Sequence, residues 1–153
     1  MMKQYTYNPD KLLSENFRLG EFIESETAQR LGIDNTPTVE VVFRLRNLCR
    51  EVLQPLRDHV GHAIRINSGY RCEALNEAVH GVGNSQHLHG CAADIHVPDI
   101  DTARSWYYWI VNHLDFDQCI LEHNRRGAFW LHVSCQLDFK DNRHHAWFMR
   151  FAK

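Results

Sequence analysis

With 153 residues, 44% of them hydrophobic and 24% charged, the chain can bury one hydrophobic core and is too apolar for a disordered segment. The formal net charge of −2 excludes a broad electrostatic case for nucleic acid or an anionic membrane as main partner. No apolar run reaches the roughly 18 residues that a membrane span needs.

In chain order, residues 1–16 read as a loosely structured lead-in and residues 17–153 as one domain. The lead-in has neither the apolar stretch nor the small-residue cleavage site of a signal peptide, so synthesis in the cytoplasm is expected. FRLGEFIESETAQRLGI predicts a short helical region ending near Gly32. Asp34, Asn35, Thr36 and Pro37 offer capping side chains and a first-turn proline. The next helix repeats apolar residues at three- and four-residue steps through Val41, Val42, Leu45, Leu48, Val52, Leu53 and Leu56, with Pro55 kinking it or splitting off its last turn.

The period then changes. Ala63 to Asn67 alternates as a half-buried strand does, and Ser68-Gly69 ends it. Cys72 to Val79 predicts a short helix, followed by the glycine-rich loop Gly81 to Asn84. Ala92 to Val97 predicts a strand, Thr102 to Leu114 an amphipathic helix, Gln118 to Glu122 a strand, Asn124 to Gly127 a turn, and Phe129 to Cys135 a returning strand. His145 to Phe151 supplies a final edge strand. The fold class expected is α+β, with helices packed on a mainly antiparallel sheet.

The five cysteines (Cys49, Cys72, Cys91, Cys119 and Cys135) form no C-x-x-C pair, which argues against a zinc knuckle or a thioredoxin-like motif. Their odd number fits small buried residues in a reducing compartment better than a disulfide framework. The eleven histidines raise the expectation of a metal site.

The chemistry concentrates in SQHLHGCAADIHV and FWLHVSC. Strand alternation puts Ala93, Ile95 and Val97 on one face and Asp94 and His96 on the other. Gly90 lets the backbone turn back, bringing His87 over Asp94. In the second segment Leu131 and Val133 face inward while Trp130, His132 and Ser134 face the other way. If the two strands are neighbours, His87, Asp94 and His132 converge, with His96 a substitute for Asp94. Two imidazoles and one carboxylate suit catalytic zinc, which leaves a position for water to become a nucleophile near neutral pH. Glu122, ending the strand before the HNRRGA turn, is the candidate general base and acid; its alternative is an ion pair with Arg125 or Arg126. Arg71 offers a planar fork for a carboxylate, or else braces its loop. Ser85 and Gln86 can hydrogen-bond substrate or steady the loop beside His87.

The ordered set SGYR, LNEAV, GV-x-x-SQH-x-x-G-x-AAD and W-L-H-V-S, spanning roughly residues 17–135, resembles the zinc D-Ala-D-Ala carboxypeptidase family, which shares its fold with the hedgehog signalling domain. The resemblance implies one zinc ion on His87, Asp94 and His132, Arg71 as a contact to the substrate carboxylate, and an acidic base near the last histidine. Some members carry that acid within three positions of the histidine, where Phe129 stands here; Glu122 matches the arrangement in others. Cys91 occupies a position where a polar residue is expected, as a redox-sensitive group or an adventitious ligand. The implied function is hydrolysis of peptidoglycan stem peptides at a D-amino acid bond by a monomer. The alternatives are a phage-lysin-like murein endopeptidase, a hydrolase of D-Ala-D-Ala dipeptide, and a non-catalytic zinc-stabilised module. Action at the cell wall would follow phage-type lysis or another export route.

Overall fold

The structure, a computed structural model, describes residues 6–152; the first five residues of the expected lead-in and residue 153 lie outside the described residues. The lead-in is not loose throughout. Strand β1 (Leu12–Ser14) pairs antiparallel with β2 (Phe17–Arg18), and Leu13 is buried in the main core.

The helical region that follows is two short helices, α1 (Gly20–Ile23) and α2 (Glu26–Leu31). Ser25 separates them because its hydroxyl accepts the Ala28 N–H, and Gly32 ends α2 at φ 66°. Helix α3 (Val39–Leu48) is capped by Thr38, whose hydroxyl accepts the Val41 N–H at 3.2 Å. The expectation that residues 34–37 cap it is therefore corrected. Asn35 is instead buried and joins three backbone sites: its amide donates to Ile23 and Tyr70 carbonyls and its oxygen accepts the Cys72 N–H.

A π-helical turn, Cys49–Leu53, separates α3 from α4 (Gln54–Val60), which has Pro55 in its first turn. The proline cannot donate its missing N–H to an α-helical ladder, so the widened turn falls just before it. Strand β3 (Ile66–Ser68) is shorter than the expected Ala63–Asn67 and displaced toward Gly69. Helix α5 (Glu73–Ala78), strand β4 (Ala92–His96), helix α6 (Ile100–His113), and strands β5 (Gln118–His123), β6 (Phe129–Ser134) and β7 (His145–Phe151) complete the order. Asp99 starts α6 by accepting the Thr102 N–H at 2.7 Å.

The main sheet runs β3-β4-β6-β5-β7. Every pair is antiparallel except β5 with β7, so the α+β reading holds with one parallel edge. One face carries Ala93, Ile95, Leu131, Val133, Cys119 and Leu121, all buried against α3, α4 and α6. The helices contribute Leu45, Leu48, Leu56, Trp106 and Ile110 to the same core. This leaves the opposite face of the sheet free for polar chemistry.

Leu131 lies in the middle strand, fully buried between Ile95 and Leu121. Leu131→Ala should lower unfolding free energy by about 2–5 kcal/mol through lost burial and the cavity left behind. Urea denaturation checks this; a loss within error of zero would mean that the core does not rest on this face.

Candidate metal centre

The register of β4 against β6 sets Asp94 directly opposite His132 and His96 opposite Trp130. Paired residues share a face, so the core side of these strands forces both Asp94 and His132 onto the other side. His87 arrives from the single helical turn Gln86–His89, which Gly90 ends at φ 77°. A Cβ at Gly90 would stand 2.8 Å from the Val41 carbonyl oxygen, so neither the turn nor the contact with α3 admits a larger residue.

His87 and His132 are buried and Asp94 is half-buried. His132 Nδ1 lies 2.9 Å from Asp94 Oδ1, and His87 Nε2 lies 3.3 Å from the same oxygen. One donor atom from each residue falls within 4.8 Å of the others. Ligands at zinc distances on a tetrahedron stand about 3.3 Å apart, so the donor set and its spacing fit that ion. His87 Nδ1 donates to the Gly69 carbonyl at 2.7 Å, which fixes the ring with Nε2 directed at Asp94. Burial alone would raise the pKa of Asp94. The imidazole charge of His87 and the hydrogen bonds from His132 and His87 outweigh it and hold the carboxyl well below its usual range.

The three residues sit in a cleft of about 600 Å³ whose lining also includes Arg71, Glu122, Trp130, Arg143 and Arg150. Arg71 leaves the loop after β3, where its backbone N–H donates to the His87 carbonyl at 3.0 Å. Gly69 makes that loop possible, because a Cβ there would stand 2.6 Å from the backbone of Phe22. The Arg71 guanidinium donates to Ser85 Oγ at 3.3 Å and to Ser68 Oγ at 3.5 Å, while Nε is buried without a hydrogen-bond partner. Burial lowers its pKa, and the charges of Asp94 and Glu122 oppose that shift.

Ser85 also accepts the His87 N–H at 3.3 Å, so its hydroxyl ties Arg71 to the turn carrying His87. Gln86 donates to Asp117 at 2.6 Å. His96 and His89 are exposed and outside the His–Asp–His group, and Cys91 is buried and also outside that group. Trp130 borders the cleft, Trp106 is buried in the core, and Trp147 is exposed.

Glu122 faces the cleft from β5 and is buried. Its ion pair is with Arg150 at 3.3 Å, not with Arg125 or Arg126, which are exposed. Sequence reasoning missed Arg150 for a definite reason. Regular alternation places it with Ala146 and Phe148, toward the core. Between Ile120↔Trp147 and Glu122↔Arg150, however, β7 contains one extra residue, and Met149 takes φ 65°. This bulge turns Arg150 to the cleft.

A second missed residue is Asp117, fully buried, whose oxygens accept hydrogen bonds from Arg143, Gln86 and Gln136. Burial would raise its pKa, but the hydrogen bonds from Arg143 and Gln86 prevail and lower it from 3.8 to about 2. A carboxyl with a depressed folded-state pKa contributes stability above its unfolded value, and that contribution disappears as pH falls through the folded value. The melting temperature of wild type should therefore fall more steeply between pH 3.8 and about 2 than that of Asp117→Asn. Identical slopes in the two proteins would show that Asp117 is not held ionised by these partners.

No curated protein matches the chain. Residues 15–134 match the family described as peptidase M15, a family of zinc metallopeptidases, and this stretch includes all three residues of the His–Asp–His group. With more than half of its length matched and the donor set in place, the chain belongs to the M15 peptidase family.

Proposed function

We propose that the protein is a zinc peptidase that hydrolyses peptidoglycan stem peptides at a D-amino acid bond, with one zinc ion on His87, Asp94 and His132. The observation that carries this reading is the convergence of that donor set with Glu122 and Arg71 in one cleft. Zinc bound there supplies Lewis-acid chemistry, polarising the peptide carbonyl and acidifying water. Glu122 takes the proton from the attacking water and passes it to the departing amine. Its carboxylate suits this work because Arg150 holds it at the cleft wall while the Arg150 guanidinium remains partly in solvent.

Arg71 binds the substrate's terminal carboxylate. Two of its guanidinium nitrogens already have hydroxyl partners, which hold the planar fork, and its remaining donors are free to engage an anion. Ser85 and Gln86 stand beside His87; their bonds to Arg71, His87 and Asp117 favour holding the loop over touching substrate. The site of action in this reading is the cell wall, reached after phage-type lysis or by another export route.

Release of D-alanine from purified muropeptides, followed by mass, tests the proposal. Zinc-loaded wild type should remove one alanine, and Glu122→Ala should lower kcat by roughly 10²–10⁴-fold. Arg71→Met should act mainly through KM. Fragments cut inside the stem or crossbridge, with Arg71→Met nearly as active, would make the protein a murein endopeptidase. No product from a zinc-loaded protein would overturn the enzymatic reading in favour of a zinc-stabilised binding module.

A further inference from the structure

Asp117 precedes β5, and no part of it reaches solvent. A carboxylate in that position is costly unless its lone pairs are occupied. Oδ1 accepts the backbone N–H and the Nε–H of Arg143, both at 2.9 Å. Oδ2 accepts from Arg143 Nη2 at 2.8 Å, Gln86 Nε2 at 2.6 Å and Gln136 Nε2 at 3.3 Å. Arg143 thus grips both oxygens, and the bond from Gln86 is the shortest of the set.

Gln86 is the residue before His87, in the same helical turn. Its Oε1 is buried with no partner, so the bond to Asp117 is what anchors this side chain among the described residues. His87 differs from the other two members of the group in its support. Asp94 and His132 are fixed by strand register, whereas His87 sits on one short turn between loops. Such a turn holds a ring in place only if several of its neighbours are tied down.

We propose that Asp117 is a positioning residue for the metal centre: through Gln86 it fixes the turn that carries His87, and Arg143 clamps the carboxylate that does so. The role rests on reading His87, Asp94 and His132 as a zinc site and extends it to the ion pair of buried Asp117 with Arg143, whose side chain is 57% exposed. Groups that orient a metal ligand from outside the ligand set commonly change metal affinity by about 10–100-fold when removed. Here the effect passes through backbone placement, because Gln86 and His87 are adjacent, and needs no contact between Asp117 and the ion.

Competition between the full chain and a chromophoric chelator, with zinc alone as the ligand, measures the role. Gln86→Met keeps the length of the side chain but cannot donate to Asp117, and should weaken zinc binding by roughly 10–100-fold. Asp117→Asn should do the same; because it also strips Arg143 of its partner and can unfold the chain, Gln86→Met carries the decision. Cobalt in place of zinc adds a reading of ligand geometry: its visible bands should shift in Gln86→Met while the far-ultraviolet circular dichroism stays that of wild type. Wild-type zinc affinity and an unshifted cobalt spectrum in Gln86→Met would overturn the positioning role and leave the zinc site standing. A wild-type chain that takes up no zinc would overturn the site and the positioning role together.

Discussion

The pairing of Asp94 with His132 across β4 and β6 is the constraint from which the rest of the site follows. Strand side chains alternate, so a slip of one residue would turn one of these groups into the core and an aliphatic residue out of it. Ala93, Ile95, Leu131 and Val133 occupy the core face of the same strands and are fully buried. Burying a side chain such as leucine or isoleucine contributes about 1.5–3 kcal/mol, so a shifted register forfeits several such terms at once. The polar geometry is thereby enforced by apolar packing on the other side of the sheet. The two groups need no attraction of their own to be brought together.

The third member of the group has no register to rely on, and the fold compensates with short-range ties. The loop after β3 approaches α1 so closely that only glycine fits at residue 69, and the carbonyl of that glycine orients the His87 ring. Asn35 joins α1 to the same loop, the Arg71 N–H donates to the His87 carbonyl, and Ser85 links the Arg71 side chain to the His87 N–H. Arg71 and His87 are therefore parts of one hydrogen-bonded unit. A loop site built this way can carry functional groups while the sheet beneath it remains rigid.

The parts of this arrangement that were legible in the sequence are those governed by local period. Alternation in ADIHV and WLHVS places Asp94 and His132 on the face away from the core, and the structure brings them together with His87. What local pattern does not reveal is any feature that breaks the period or depends on distant segments. Arg150 reaches the cleft because Met149 interrupts the alternation of β7, and methionine carries no signature of a left-handed backbone. Asp117 looks like any polar residue before a strand, since its partners come from residues 86, 136 and 143. The cap of α3 was misread for a related reason: Asn35 has the right chemistry for a cap but is drawn into the loop that carries Arg71.

The bulge in β7 also supplies the partner of Glu122, the carboxylate proposed for proton transfer. A buried carboxylate without a partner is costly, and a fully buried ion pair carries the desolvation cost of two charges. Arg150 avoids both extremes. Its side chain is 34% exposed against 11% for Glu122, so water screens the pair and the attraction is modest. Obtaining that partner requires a non-glycine residue at positive φ on an edge strand, where no further strand must match the irregularity among the described residues. Backbone outliers of this kind persist where the surrounding structure fixes them and the group they aim has work to do. In the proposed reaction that work is to hold the Glu122 carboxylate at the wall of the cleft that contains His87, Asp94 and His132.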